Sequence, residues 1–333
     1  MKKVINDPAT VVTDSLRGLA AAHSDLLRVE YDPDVVLRAD TVVRGRVALI
    51  SGGGSGHEPL HSGFVGHGML DAAVPGAMFT SPTPDAVQAA IKATTVDAGA
   101  LLIVKNYTGD VLNFETAAEL ASADGLDVRT VVIDDDVAVA DSTFTAGRRG
   151  VGGTVLLEKI AGAAAERGDR LDDVEAVARK VIGQVRSIGV AFTAPTVPHI
   201  GEPSFELGPD EVEFGIGIHG EPGRERIKAE PADALVERMV SAVVEDLPFS
   251  RGDDVLLFTN SMGGTPLVEV YLAHGIAERL LADRGINVTR HLVGPYVTSL
   301  EMQGISLTVL RLDSELADLW DSPVNTPALR WGM

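Results

Sequence analysis

Arg46-Val47-Ala48-Leu49-Ile50-Ser51 runs without a break into Gly52-Gly53-Gly54-Ser55-Gly56-His57-Glu58-Pro59. A short apolar run that ends in glycines reads as a buried strand followed by a loop. The pattern recurs. Ala100–Lys105 (ALLIVK) leads into Asn106-Tyr107-Thr108-Gly109-Asp110 and then a helical stretch, VLNFETAAELA, and Val128–Ile133 leads into Asp134-Asp135-Asp136. Apolar strands alternating with helices are the mark of parallel βαβ units. Asp7–Pro8 reads as the opening of a first helix, and Gly168 as the close of the helix through VLLEKIAGAAAER.

Ala194–Pro209 (APTVPHIGEPSFELGP) has four prolines and no helical period, so it reads as a domain boundary. Beyond it, EVEFGIGI reads as a strand, a helix follows Pro231, DVLLFTN is a strand, a helix starts at Thr265–Pro266, and NVTRHLV and ISLTVLRL are late strands. The expectation is two α/β domains. Residues 1–190 form a mostly parallel, three-layer α/β/α domain, and residues 191–333 a smaller mixed-sheet α/β domain.

Length and charge narrow the function. A chain of 333 residues suits two domains, and 45% hydrophobic with 23% charged residues is a globular balance. With no cysteine, a disulfide scaffold, a thiolate metal site and a cysteine nucleophile are excluded. A net charge of −20 is the wrong sign for gripping a phosphate backbone, which argues against nucleic acid as a partner. The start, MKKVINDPATVVTDSLRGL, lacks the apolar core of a secretory signal, and the longest apolar runs are strand-sized, which argues against a membrane. The expected location is the cytoplasm.

Three constellations carry chemistry. The Ser51–Pro59 glycine run stands at a strand end, where ligands sit in open α/β sheets, and its backbone N–H groups would lie uncovered beside His57. It is neither G-x-G-x-x-G nor a Walker loop. At the next strand end, Asp110 is either a general base or a helix N-cap. Lys105 ends a buried strand, and a buried ammonium needs an acidic partner or a ligand oxygen. In Glu211–Gly220 (EVEFGIGIHG), strand alternation would put Gly215, Gly217 and His219 on one face, leaving open space beside the imidazole. Weaker candidates are Asp134-Asp135-Asp136 as a cation site or a solvated turn, Arg148-Arg149 as a phosphate or partner contact, and Asn260–Pro266 as a loop or cap. His57 and His61 stand four apart, but Pro59 lies between them, so no metal-ligand set is read there.

Taken together, these residues resemble the substrate-binding subunit family of dihydroxyacetone kinases, nearly end to end. The resemblance rests on SGGGSGHEPLHSGFVGHGMLDAAVPG, FTSPTPD, VKNYTGDVLNFETA, VVIDDDVAV, TAGRRGVGGTVLLEKIAGAAAERG, EFGIGIHGEPG, GGTPL and DSPVNTPALRWG. It implies that His219 adds through Nε2 to the ketone carbon of dihydroxyacetone as a covalent hemiaminal. It implies that His57 and Asp110 bind the reacting hydroxyl and accept its proton, and that Gly54, Ser55, Gly56 and Lys105 line the substrate pocket. No cofactor is expected in this chain. ADP or ATP with magnesium would sit on a separate helical kinase subunit, recharged by a phosphotransferase-system protein or replaced by ATP. The family resemblance also implies a homodimer. Two other readings stay open: a non-catalytic triose sensor acting as a transcriptional coactivator, and a kinase subunit for erythrulose or glyceraldehyde. Between Gly223 and Asp254 the chain lacks an insertion that some relatives carry, which bears on donor class and partner contacts.

Overall fold

The computed structural model describes residues 2–40, 44–140 and 145–333. They form two compact units that interleave along the chain. One comprises Lys2–Ile133, Thr154–Val181 and Leu316–Met333, the other Asp134–Gly153 and Ile182–Glu315.

In the first unit, α1 (Val11–Ala22) precedes β1 (Leu27–Glu30), β2 (Val35–Arg38), β3 (Ala48–Ser55) and β4 (Ala72–Met78). Then come α2 (Pro84–Thr94), β5 (Ala100–Lys105), α3 (Thr108–Ala123), β6 (Val128–Ile133) and most of α4 (Gly153–Glu166) and α5 (Leu171–Gln184). The sheet order is β1-β2-β4-β3-β5-β6. The four strands β4, β3, β5 and β6 run parallel, with the β1–β2 hairpin antiparallel at one edge. On one face Ala48, Ile50, Leu102 and Val104 pack against Val87, Ile91, Phe114 and Ala117 of α2 and α3. On the other, Ser51 reaches His61, which in turn meets Glu158 of α4. Helices cover both faces, so this unit is the three-layer, mostly parallel one expected.

In the second unit, β7 (Val185–Ala191), β8 (Glu211–Phe214), β9 (Glu225–Lys228), α6 (Ala232–Asp246), β10 (Asp254–Ser261), α7 (Leu267–Asp283), β11 (Asn287–Gly294) and β12 (Gly304–Leu312) build a sheet of order β11-β10-β12-β7-β8-β9. Only the β10–β11 pair is parallel there, and the sheet is therefore mixed. Its core gathers Ile188, Val190, Val212, Phe214, Met239, Leu257 and Leu307. The tail, α8 (Ser314–Asp321) with the hairpin of β13 (Val324–Asn325) and β14 (Arg330–Trp331), belongs almost wholly to the first unit.

Three local expectations differ. The division at 190/191 falls inside β7, because strand pairing, not chain order, sets the units. The glycine run is not a loop. Gly52, Gly53 and Gly54 lie within β3, in parallel register with Val74, Pro75 and Gly76. They are needed because neighbours press on the strand: a side chain at Gly52 would meet Val74 and Phe114, and one at Gly54 the Phe79–Thr80 backbone. Finally α1 begins at Val11, with Asp7 Oδ1 accepting the Ala9 N–H ahead of it.

Candidate active site

The carboxyl ends of parallel β3 and β5 open on one edge of the first sheet, which places Lys105 and the segment after Ser55 together. Lys105 is 1% exposed. Its Nζ lies 2.7 Å from His61 Nε2, 3.4 Å from the Gly52 carbonyl oxygen and 3.9 Å from Asp110 Oδ2. His61 Nδ1 lies 2.6 Å from Glu158 Oε1 and 3.0 Å from Ser51 Oγ. Ser51 Oγ donates to the Ile103 carbonyl at 2.7 Å. The chemistry orders the protons: Lys105 donates to Nε2, so the neutral ring carries its hydrogen on Nδ1 and donates it to Glu158.

Burial governs the charges. It pushes the Glu158 carboxyl up to about 8, against the pull of Lys105 and Ser51. It pushes the Lys105 ammonium down, while Asp110 and Glu158 draw it back up. Burial, with the Lys105 and His57 charges, holds His61 well below the usual imidazole range. Lys105 thus faces one carboxylate directly and, through a neutral imidazole, a second carboxyl that burial keeps mostly protonated at neutral pH. His61 offers a path for a proton between Lys105 and Glu158.

Asp110 is not the helix cap. Tyr107 stands at the N-cap of α3, and Asp110 is buried in the first turn with Oδ2 toward Lys105. Its Oδ1 has no hydrogen-bond partner among the described residues. His57 is fully buried and stacks on Phe79, ring centroids 4.9 Å apart. The Gly56 N–H donates to the Glu58 carboxyl at 3.0 Å, whose own pKa burial raises. Gly56 has φ +107°, and a side chain there would strike Phe79 and Met78. Ser55 Oγ donates to the Gly76 carbonyl at 2.7 Å. The structure therefore brings His57, Lys105 and Asp110 to one strand edge and adds His61, Glu158 and Ser51.

His219 belongs to the other unit, and its surroundings differ from the alternation argument. β8 stops at Phe214, since Gly215 takes φ +83°. The clearance at Gly217 is filled: a side chain there would overlap the Glu221 carboxyl. Glu221 Oε2 accepts the His219 backbone N–H at 2.8 Å, and its Oε1 lies 3.4 Å from His219 Nδ1. Burial opposes ionisation of Glu221, but His219 beside it, with Arg149 further off, holds it down to about 2. A carboxylate only accepts, so His219 carries its proton on Nδ1 and its lone pair on Nε2.

The weaker candidates resolve into structure. Asp135 is buried and accepts the N–H groups of Val151 and Gly153 and the Ser187 hydroxyl, so it is neither solvated nor offered to a cation. Asp136 pairs with Arg149 at 2.7 Å, and Arg149, fully buried, also donates to the Gly215 carbonyl. Arg148 pairs with Asp246. Asn260 donates to the Val297 carbonyl and accepts the Tyr296 and Val297 N–H groups, holding a loop.

Sequence reasoning missed Glu158 and Glu221, and it weighed His61 only as a metal ligand. A signal was present for the first: Glu158 and Lys159 interrupt the apolar run of α4, and a charged group so placed must find a partner inside.

The Dak1 domain model matches residues 17–328. The dihydroxyacetone-binding subunit of the PEP-dependent dihydroxyacetone kinase of Escherichia coli is 48% identical over 356 residues, covering 100% of both chains. The crystal structure of the dihydroxyacetone kinase of C. freundii superposes with TM-score 0.88 at 38% identity, over 98% of this chain and 60% of that one. The dihydroxyacetone kinase operon co-activator DhaQ superposes with TM-score 0.89 at 35% identity, over 95% of this chain and 97% of that one. With a domain match across nearly its whole length and close relatives that align end to end, the chain belongs to the Dak1 family, that of the dihydroxyacetone-binding subunits of dihydroxyacetone kinases.

Proposed function

We propose that this chain is the substrate subunit of a two-component cytoplasmic dihydroxyacetone kinase, active as a homodimer, that holds dihydroxyacetone on His219. The observation that carries this reading is the His219–Glu221 pair within a chain 48% identical to the Escherichia coli subunit. The Nε2 lone pair adds to the carbonyl carbon, the C=O π bond breaks, and its electrons go to oxygen, which takes up a proton. The ring loses the Nδ1 proton in the same net process, and ionised Glu221 beside Nδ1 stabilises the imidazolium in between. The tether selects short carbonyl compounds over glycerol, which has no carbonyl.

Asp110 and His57 then accept the proton of the terminal hydroxyl as its oxygen attacks phosphorus, and dihydroxyacetone phosphate is the product. Lys105, Gly54, Ser55 and Gly56 bind the substrate beside them. A helical partner subunit would hold the nucleotide with magnesium and present the terminal phosphoryl group of ATP; the P–O bond to ADP breaks, and the ADP is either rephosphorylated in place or exchanged for ATP. The PEP-dependence in the name of the Escherichia coli relative favours a phosphotransferase-system protein as the ultimate source.

Native mass spectrometry after incubation with dihydroxyacetone tests the tether. The wild-type chain should gain the mass of one dihydroxyacetone with no loss of water, and His219→Ala should gain nothing. Equal labelling of the two would overturn it. The likeness to the co-activator DhaQ favours a second reading, a triose sensor without catalysis. Adding a kinase partner subunit and donor separates the two, since a sensor yields no triose phosphate. Comparing kcat/KM for dihydroxyacetone, erythrulose and glyceraldehyde ranks the substrates, because one extra carbon is worth only about 1–3 kcal/mol in a simple pocket.

A further inference from the structure

We propose that His274, Glu278 and His291 form a binding site for one divalent transition-metal ion of the zinc class, apart from the residues placed in catalysis. One ligand atom from each of the three lies within 4.8 Å of the others. All three stand in the second unit, on regular elements that hold their backbones in place. His274 and Glu278 are four apart on α7, so they share a helix face, and His291 comes from β11, the strand on which α7 packs.

The two imidazoles already face each other: His274 Nε2 is 3.0 Å from His291 Nδ1, with the rings at 61° and not stacked. Tetrahedral zinc with nitrogen ligands at about 2.0–2.1 Å sets those nitrogens roughly 3.3 Å apart, so a shift of a few tenths of an ångström suffices. Behind the site, Thr259 Oγ1 of β10, fully buried, lies 2.9 Å from His274 Nδ1. Accepting the Nδ1 proton, it leaves the Nε2 lone pair for the metal, the outer support that metal-binding histidines use. On binding, the proton between Nε2 and Nδ1 leaves and Nε2 of exposed His291 takes one up from solvent, so both rings ligate as neutral imidazoles.

Two imidazoles and one carboxylate suit zinc, nickel or cobalt rather than magnesium or calcium, which take oxygen ligands. Glu278 and His291 are exposed, so the ion reaches the site from solvent, and water completes the fourth position. Among the described residues, this is the one group of three or more such side chains at ligand spacing.

The test uses the purified full-length chain, freed of metal by chelator and then titrated with zinc and, separately, cobalt. One zinc per chain should bind at micromolar free metal and raise the melting temperature. Cobalt should give the visible absorption of a four-coordinate site. His291→Ala and Glu278→Ala, both at exposed positions, should each weaken zinc binding tenfold or more and abolish that absorption. Zinc uptake equal in wild type and His291→Ala would mean adventitious binding and would overturn the assignment. So would an absence of binding by the wild-type chain at micromolar zinc.

Discussion

Lys105 Nζ and His61 Nε2 stand 2.7 Å apart, both buried, at the carboxyl end of a parallel strand. This contact makes a buried ammonium tolerable without tying up Asp110, which remains 3.9 Å away with its other oxygen unpartnered among the described residues. The carboxyl that faces Lys105 through the ring is Glu158, which burial raises to about 8. The arrangement divides labour between two carboxyls. One is committed to the interior, and the other is left at the strand edge for chemistry.

Glu158→Gln tests the interior member. Burial holds Glu158 at about 8, against about 4.3 in an unfolded chain. A carboxyl raised on folding favours the native state at low pH: its contribution is full below about 4.3 and is lost as pH rises toward about 8. The wild-type chain should therefore lose stability relative to Glu158→Gln across that window, by up to about 1.4 kcal/mol per pH unit. Urea unfolding midpoints at pH 5 and pH 8 measure it. A constant gap between the two proteins would show that Glu158 does not titrate there.

Asp110→Asn keeps the shape of the strand edge but removes the proton acceptor. With a partner subunit and donor present, kcat should fall by roughly 10²–10⁴. The dihydroxyacetone adduct, made at His219, should form as in wild type. Undiminished turnover would remove Asp110 from the reaction.

Glu221→Gln addresses the tether. Glu221 is held at about 2, below its unfolded value, so it contributes stability above about 4.3 that is lost as pH falls through about 2. Exchanging a charged acceptor for a neutral one should slow adduct formation roughly ten- to hundredfold at pH 7, from the ~1.5–3 kcal/mol of a charge-assisted hydrogen bond. Stopped-flow or time-resolved mass spectrometry reads the rate. An unchanged rate would reduce Glu221 to a structural acceptor.

Arg149→Met leaves buried Asp136 without its guanidinium, 2.7 Å away in the native chain. Breaking a fully buried pair from one side costs about 3–5 kcal/mol. The double variant with Asp136→Asn should regain part of the loss. If Arg149→Met unfolds at the wild-type denaturant concentration, the pair is not structural, and the idea of Arg149 as a ligand contact would return.

Much of the architecture was legible in one dimension. A five-residue apolar run such as Ala100-Leu101-Leu102-Ile103-Val104, too short for a helix, reads as a strand buried on both faces, and Gly168, at φ +89°, ends α4 as a residue without Cβ should. Lys105 and Asp110 were likewise marked by charge at a buried strand end. Contacts distant in sequence were not legible. His61 and Glu158 meet across 97 positions, and Ser51 lies opposite Ile103 across 52. Nothing local in either segment encodes that meeting, because it is set by sheet register and by α4 lying over the second face. The glycines show the same limit. Their number announced a special backbone, but whether the missing side chains made room for a ligand, for the Phe79–Thr80 backbone or for the Glu221 carboxyl depended on what the fold pressed against them.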